Sequence, residues 1–323
     1  MTGSLVCVSL APSLDRYLRL PGLTVGAVNR PSAVVERAGG KGLNVARTAR
    51  ALGVPVRSLV LAGGGTGERL RRLAGAEGLA VTWVDGGAET RQCSCLLDET
   101  TGELTEVYEP VRPVPAPAWP RFADAVEDAF AALTRDDVVV VSGRVPAGMP
   151  ADALAFAVGR ARSAGAEVLV DSDGPHVRGA VEAGPDLLKV NHAEAARAAG
   201  HADPDPWAAA GALRRAGARS VVVTLGGQGA ICLGPDGERL TVSHAPVPAP
   251  LPVGSGDAFI GGWAAARLGA FGREPARSAN LTDRLRLAAA VARANTRVLE
   301  AGDVTADAVA HELGEVRLTR CAD

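Results

Sequence analysis

Six short segments are apolar at nearly every position: 4–10 (SLVCVSL), 57–63 (RSLVLAG), 137–143 (DVVVVSG), 166–172 (AEVLVDS), 186–191 (DLLKVN) and 219–226 (RSVVVTLG). A half-buried strand would alternate, so these runs predict strands covered on both faces, as in a parallel sheet. Between them lie stretches with helical period, at 42–53, 67–78, 121–133, 150–165, 207–217, 256–269 and 283–302. Strand then helix, repeated, predicts βαβ units and an α/β fold built on a doubly wound, mostly parallel sheet.

Two segments break this rhythm. Residues 14–37 and 89–109 alternate polar and apolar positions and carry turn signals at Pro21-Gly22 and Thr101-Gly102. They predict hairpins with one solvated or partner-facing side, which together would form a small antiparallel sheet over one edge of the main one. The Pro-rich stretch 111–120 reads as a stiff return from the second insert, not as a linker. Residues 1–323 are therefore read as one unit carrying a two-part lid.

Composition narrows the classes. The chain has 323 residues, is 47% hydrophobic and 22% charged, and has a net charge of -2. It lacks the basic excess that nucleic acid or a membrane surface would favour. No apolar run approaches the roughly 20 residues of a membrane span, and the first residues carry no basic leader. Aromatic residues make up only 3%, so the core must rest on Val, Leu and Ala. Cys7, Cys93, Cys95, Cys232 and Cys321 are odd in number and have no paired metal-ligand spacing. They read as reduced thiols of a cytoplasmic protein.

Two glycine-rich helix starts carry the candidate chemistry. In AGGKGLNVART (38–48), Gly39, Gly40 and Gly42 permit close approach of a ligand, Lys41 adds a cation and Asn44 sits in the next turn. That suits an anion or a polyhydroxylated ligand; a flexible turn with a surface lysine is the plain alternative. In VGSGDAF (253–259), the amides of Gly254, Ser255 and Gly256 can converge on an anion at a helix N-terminus. Asp257 beside them reads either as an N-cap, contributing about 1 kcal/mol, or as a base for an attacking hydroxyl. After one strand, KVNHAEA (189–195) offers Lys189, Asn191 and Glu194, suited to a hydrated Mg²⁺ near phosphates. After another, VVTLGGQGA (222–230) offers Thr224, Gly226, Gly227 and Gly229 to a nucleotide. A third glycine cluster, LAGGGTGERL (61–70), has Glu68 where a dinucleotide turn needs Gly or Ala, and a nicotinamide cofactor is not expected.

Taken in order, GGKGLNVAR, NHAE, TLGGQGA and VGSGDAF resemble the ribokinase-like sugar kinases of the PfkB family across essentially the whole chain. SLAPSLD, the segment 26–47 and ETRQC look most like the phosphosugar branch, with its 1-phosphofructokinases and tagatose-6-phosphate kinases. The resemblance implies a ribokinase-like fold with a β-lid that often pairs in a homodimer. It implies an ATP- and Mg²⁺-dependent kinase acting on a ketohexose phosphate, fructose 1-phosphate first. Tagatose 6-phosphate, fructose 6-phosphate, or an unphosphorylated sugar or nucleoside are the alternatives, and a non-catalytic sensor is a further one. Asp257 would be the general base, and the 254–257 amides the anion hole. Asp15, Gly39, Gly40 and Asn44 would hold sugar hydroxyls, while Lys41, Arg91 and more weakly Arg30 would hold the substrate phosphate. Lys189, Asn191, Glu194, Thr224, Gly226, Gly229 and Asn295 would line the ATP–Mg²⁺ side, Glu194 meeting the metal through water. Four positions depart from the family pattern: Pro252 replaces Thr, Val190 replaces Pro, Cys93 replaces Asn, and Arg144 stands where a small polar residue is usual on the substrate-binding side, where it would either bind a phosphate placed differently or point outward.

Overall fold

The computed structural model describes residues 3–200, 205–248, 250–269 and 280–321. The chain runs through β1 (Leu5–Ser9), β2 (Ser13–Leu20), β3 (Ala33–Gly39), α1 (Lys41–Ala51), β4 (Val56–Ala62), α2 (Gly64–Ala76), β5 (Val81–Asp85), β6 (Arg91–Asp98), β7 (Leu104–Tyr108) and α3 (Ala118–Phe130). It continues with β8 (Val138–Ser142), α4 (Ala153–Ser163), β9 (Glu167–Asp171), α5 (Val177–Glu182), β10 (Leu187–Asn191), α6 (His192–Ala199) and α7 (Pro206–Arg215). Then follow β11 (Ser220–Thr224), β12 (Ala230–Leu233), β13 (Arg239–His244), α8 (Ser255–Arg267), α9 (Leu281–Asn295), α10 (Ala306–Leu313) and β14 (Val316–Arg320).

The main sheet has ten strands in the order β14-β13-β12-β11-β10-β9-β8-β1-β4-β5. From β11 to β5 every neighbour is parallel, and β12 to β14 add an antiparallel edge. The six apolar runs form six of the seven parallel strands. β1 and β8 are buried at all five positions because both faces are covered. Leu5 and Cys7 pack with Ala46 of α1, Phe259 and Trp263 of α8 and Ala288 of α9. Val6 and Val8 pack on the opposite side with Phe122 of α3, Leu154 of α4 and Leu213 of α7. β5, β13 and β14 had no such signal, because their partly exposed faces interrupt the apolar run, and β12 is only four residues long.

Helix α8 is buried at every position from Asp257 to Arg267. A methyl on Gly261 would stand 2.8 Å from Thr48 Cγ2 of α1, and one on Gly262 would stand 2.8 Å from Val291 Cγ2 of α9. Glycine thus lets α8 pass closely between two helices, and the tight packing holds its first turn rigidly at the top of the sheet.

The two inserts form a second sheet in the order β3-β2-β6-β7. Both hairpins are antiparallel as expected, but they join through a parallel pair, β2 with β6. One face carries Tyr17, Cys95 and Leu97 onto Val253, Leu299 and Ala301 of the main body. There the Ala301 N–H donates to Tyr17 Oη at 3.0 Å.

Other differences are local. Helices α2 and α3 begin three residues earlier than their apolar periods suggest, because Gly63 and Pro117 already occupy the N-cap positions. α9 stops at Asn295 instead of running to 302, since the Asn295 side chain draws the chain back by accepting the Gly302 N–H at 2.8 Å. The short helices α5 and α10 were not anticipated. All five cysteines are free thiols, and no helix among the described residues is long and apolar enough to cross a membrane.

Candidate active site

Strand order reverses between β1, which leads to β4 and β5, and β8, which leads to β9, β10 and β11. A crevice beyond the carboxyl ends of the strands is expected at such a switch. Ser142, Asp171, Asn191 and Thr224 are the last residues of β8 to β11 and stand at that end of the sheet.

The start of α8 closes one side. Pro252–Ser255 is a tight turn: Ser255 N–H donates to the Pro252 carbonyl at 3.1 Å, and Gly254 has φ 70° and ψ 5°, the left-handed third position of a type II turn. A methyl on Gly254 would also stand 2.4 Å from Ala301 Cβ. The N-cap reading of Asp257 fails, because no side chain caps α8. Of the 254–257 amides expected to face an anion, that of Ser255 is spent inside the turn. Those of Gly256 and Asp257 sit in the first helical turn, where no intrahelical acceptor exists.

Asp257 is only 7% exposed and turns toward α1, where Asn44 Nδ2 donates to its Oδ2 at 2.8 Å. Asn44 is oriented in turn by Arg47, whose Nη1 donates to Asn44 Oδ1 at 3.1 Å and to the Ala301 carbonyl at 2.9 Å. Arg47 is buried and also bonds Ala38 O and Glu77. Burial, together with the negative charge of Asp171, lifts Asp257 to about 7, against the opposing pull of Lys41, Asn44 and Lys189. A buried carboxyl with that proton affinity, held at the head of a helix, is suited to take a proton near neutral pH.

The other glycine block lies across from it. A methyl on Gly39 would be 1.9 Å from Asp15 Oδ2, and Gly40, at φ 90°, would bring one to 2.7 Å from Pro12 Cα. Asp15 accepts Ser13 Oγ at 2.6 Å. Burial raises it to about 6, while Ser13, Arg47 and Arg91 pull it down. Arg91 is half-buried, and its Nε is buried with no acceptor. Cys93 pairs in register with Asp15 and is buried on the same face. Arg30 is exposed on the β2–β3 connection.

Lys41 and Lys189, expected on different ligands, meet at one carboxylate. Lys41 Nζ lies 2.8 Å from Asp171 Oδ1, and Lys189 Nζ lies 3.1 Å from Asp171 Oδ2, with Asp171 fully buried. Burial opposes the charge of Asp171, yet the two ammonium groups hold it below the usual carboxylate range. Lys41 is raised above the usual lysine value, because Asp171, Glu194 and Asp257 outweigh the burial that opposes its charge. Sequence reasoning missed Asp171 and Arg47. The available signals were an Asp ending a buried parallel strand and an Arg within an apolar helix.

Lys189, Asn191, Thr224, Gly226 and Gly229, expected beside a nucleotide, line a cleft of about 610 Å³ together with Pro252, Ser255 and Gly256, among others. A methyl on Gly256 would come within 2.4 Å of Lys189 Nζ and push that ammonium group aside. Two expected members do not line it. Asn295 is fully buried and donates to Val253 O at 2.7 Å and Ser255 Oγ at 3.2 Å, so it braces the turn beneath the cleft. Glu194 forms a capping box with Asn191: Asn191 N–H donates to Glu194 Oε2 at 2.8 Å, and Glu194 N–H to Asn191 Oδ1 at 2.9 Å. Its half-exposed carboxylate faces a neighbouring cavity with Ser172 and Asp173. Arg144 reaches out from the β8–α4 connection and pairs with Asp173 through Nε at 2.8 Å and Nη2 at 2.6 Å.

The family described as pfkB family carbohydrate kinase matches residues 3–307. A 1-phosphofructokinase of Xanthomonas campestris is 32% identical over 271 residues, 81% of this chain and 84% of that protein. The ATP-dependent 6-phosphofructokinase isozyme 2 of Escherichia coli is 33% identical over 260 residues, 79% of this chain and 82% of that one. The crystal structure of phosphofructokinase-2 from Escherichia coli in complex with potassium superposes with a TM-score of 0.85 at 27% identity, covering 97% of this chain and 99% of that one.

Proposed function

The chain belongs to the pfkB family of carbohydrate kinases, a phosphofructokinase-type sugar-phosphate kinase that uses ATP, and on that premise we propose fructose 1-phosphate as its acceptor and Asp257 as its base. The carrying observation is the Asp257 carboxyl, buried and held by Asn44, one residue after Gly256, which lines the cleft proposed for the nucleotide. Phosphoryl transfer needs little covalent help from a protein; it needs positioning, a proton acceptor and positive charge along the transfer path. Asp15, Gly39, Gly40 and Asn44 fit sugar hydroxyls. Arg91, with its buried and unpartnered Nε, fits the phosphate the acceptor already carries. The amides of Gly256 and Asp257, at the positive end of α8, fit the γ-phosphoryl group as its charge develops.

ATP fits the 610 Å³ cleft, which Gly226 and Gly229 line. Among the described residues no cluster of three or more acidic, His or Cys side chains could cage a metal. A hydrated Mg²⁺ needs one or two carboxylates plus phosphates, and Glu194 would meet it through water. The ion would screen phosphate charge; Lys41 and Lys189 hold the protein's own positive charge beside it.

Arg144 is tied to Asp173 with a side chain 62% exposed, so we assign it to the rim of the site. The second reading, fructose 6-phosphate as acceptor, is favoured by the 33% identity to the Escherichia coli 6-phosphofructokinase isozyme 2. The four-stranded sheet serves as the lid in this proposal. Its outer face carries Val34, 45% exposed and in register with half-exposed Leu18 and Leu96, and Val107, 57% exposed and opposite Ser94, and suits a second copy of the chain. The free thiols fit a cytoplasmic enzyme. ADP release over a panel of sugars and sugar phosphates tests the acceptor, with Asp257→Asn as control. Faster turnover on fructose 6-phosphate or an unphosphorylated sugar would replace the first assignment.

A further inference from the structure

Of the 34 basic side chains in the sequence, two are lysines, Lys41 and Lys189; the rest are arginines. They stand on different elements, at the start of α1 and inside β10, yet both ammonium groups bond the same buried carboxylate, Asp171. A chain that uses arginine everywhere else keeps lysine only at these two positions. The chemical difference supplies a reason. An ammonium group has three donors and spends one on Asp171, which leaves two for a ligand. A guanidinium would lay its fork on the carboxylate and spend its aimed donors there. Arg144 and Asp173, one loop away, show that outcome, with Nε and Nη2 both committed.

The two lysines also face different ligands. Lys189 lines the nucleotide cleft, with Nζ against Gly256 at the head of α8. Lys41 follows the Gly39-Gly40 turn that packs on Asp15. Asp171 sits between them at the end of β9 with no exposed surface. Together the three groups carry one net positive charge, and Asp257 feels all of them.

We propose that Asp171 is a positioning residue that ties Lys41 and Lys189 into one clamp spanning the acceptor and nucleotide sides of the site. The proposal rests on the kinase reading above. Each ammonium group is held at a fixed place along the path of the transferred phosphoryl group with donors left over. Without the carboxylate the two like charges repel and leave that path, which costs turnover more than it costs nucleotide binding.

Kinetics and amine labelling of Asp171→Asn and Asp171→Glu test this. In Asp171→Asn, kcat is expected to fall at least about 100-fold while KM for ATP moves less than about tenfold. Acetylation of Lys41 by acetic anhydride at fixed pH is expected to run at least about tenfold faster, because the charge that keeps its amine protonated is gone. Lys189 is the one other lysine in the sequence and lies on a different peptide, so peptide mass assigns the signal. In Asp171→Glu, which keeps the charge but displaces it by a methylene, Lys41 labelling stays slow while kcat falls at least about tenfold. The glutamate variant decides the matter if the asparagine variant does not fold. Turnover within about threefold of wild type in either folded variant, or unchanged Lys41 labelling in Asp171→Asn, overturns the proposal. A wild-type protein inactive on every acceptor would instead sink the kinase reading, and the labelling comparison would still decide the clamp.

Discussion

Helices α2 and α8 start from nearly the same material and end up with opposite fates. Each opens on a glycine cluster at the carboxyl side of the main sheet, has no side-chain cap, and carries a left-handed glycine, Gly64 at φ 71° and Gly254 at φ 70°. At α2 the chain supplies its own anion. Glu89, from the segment leading into β6, accepts the Gly65 N–H at 3.1 Å and the Thr66 N–H at 2.6 Å, which hold it below the usual carboxylate range. The dinucleotide reading of this turn fails because Glu89 plugs it, whereas Glu68, the residue that argued against it from sequence, merely pairs with Arg71 on the surface. At α8 the nearby acid turns away to Asn44, and the helix start faces a cleft. A glycine-rich helix start is therefore generic, and it becomes a site only where the fold leaves its amides for a ligand.

The comparison can be broken most forcefully at Asp257. Asp257→Asn is expected to lower kcat about 1000-fold or more, measured as ADP release with the best acceptor. Retained turnover would make the α8 start a binding site alone. Gly256→Ala keeps every polar group but drives a methyl into Lys189 Nζ, and kcat should fall about 100-fold in a protein that still melts cooperatively. Acidification gives a graded version. With Asp257 at about 7, kcat/KM should drop about tenfold per pH unit below that value, and a limb set near pH 4 would remove Asp257 as base.

The same shift fixes a stability sign. A carboxyl raised in the folded state contributes stability that is full below its unfolded value and lost as pH rises through about 7. Asp257→Asn should thus melt higher than wild type at pH 8, by about 2 °C or more, with the difference shrinking by pH 5. Glu89, shifted the other way, contributes above its ordinary range and loses that contribution on acidification. Glu89→Gln should cost only about 0.3–1 kcal/mol in denaturant unfolding at neutral pH and leave kcat within about threefold. A larger loss of turnover would mean that α2 belongs to the site after all.

Legibility followed how strongly a residue's neighbours constrain its type. The parallel strands could be read because burial on both faces demands an unbroken apolar run. β13 and β14 could not, since a half-covered antiparallel edge tolerates Arg239, Thr241 and Arg317. Gly39, Gly40, Gly254 and Gly256 stood out because their backbone angles or their neighbours exclude a side chain. Asn295 was legible as important but not in its role, because an amide that lines a cleft and one that braces a turn are the same letter. The parallel joint between β2 and β6 left no local trace, since each hairpin is complete without it.

What the sequence determined by itself was the alternation of elements, the two inserts and the glycine-bounded turns, all set by local sterics and by the period of apolar burial. What only the tertiary structure decided was which charges meet. Lys41, Asp171 and Lys189 converge from α1, β9 and β10, Asn44 reaches Asp257 across 213 positions of chain, and Glu89 fills α2. Electrostatic and hydrogen-bond partners depend on distances through space of a few ångströms, and no local pattern along the chain encodes them.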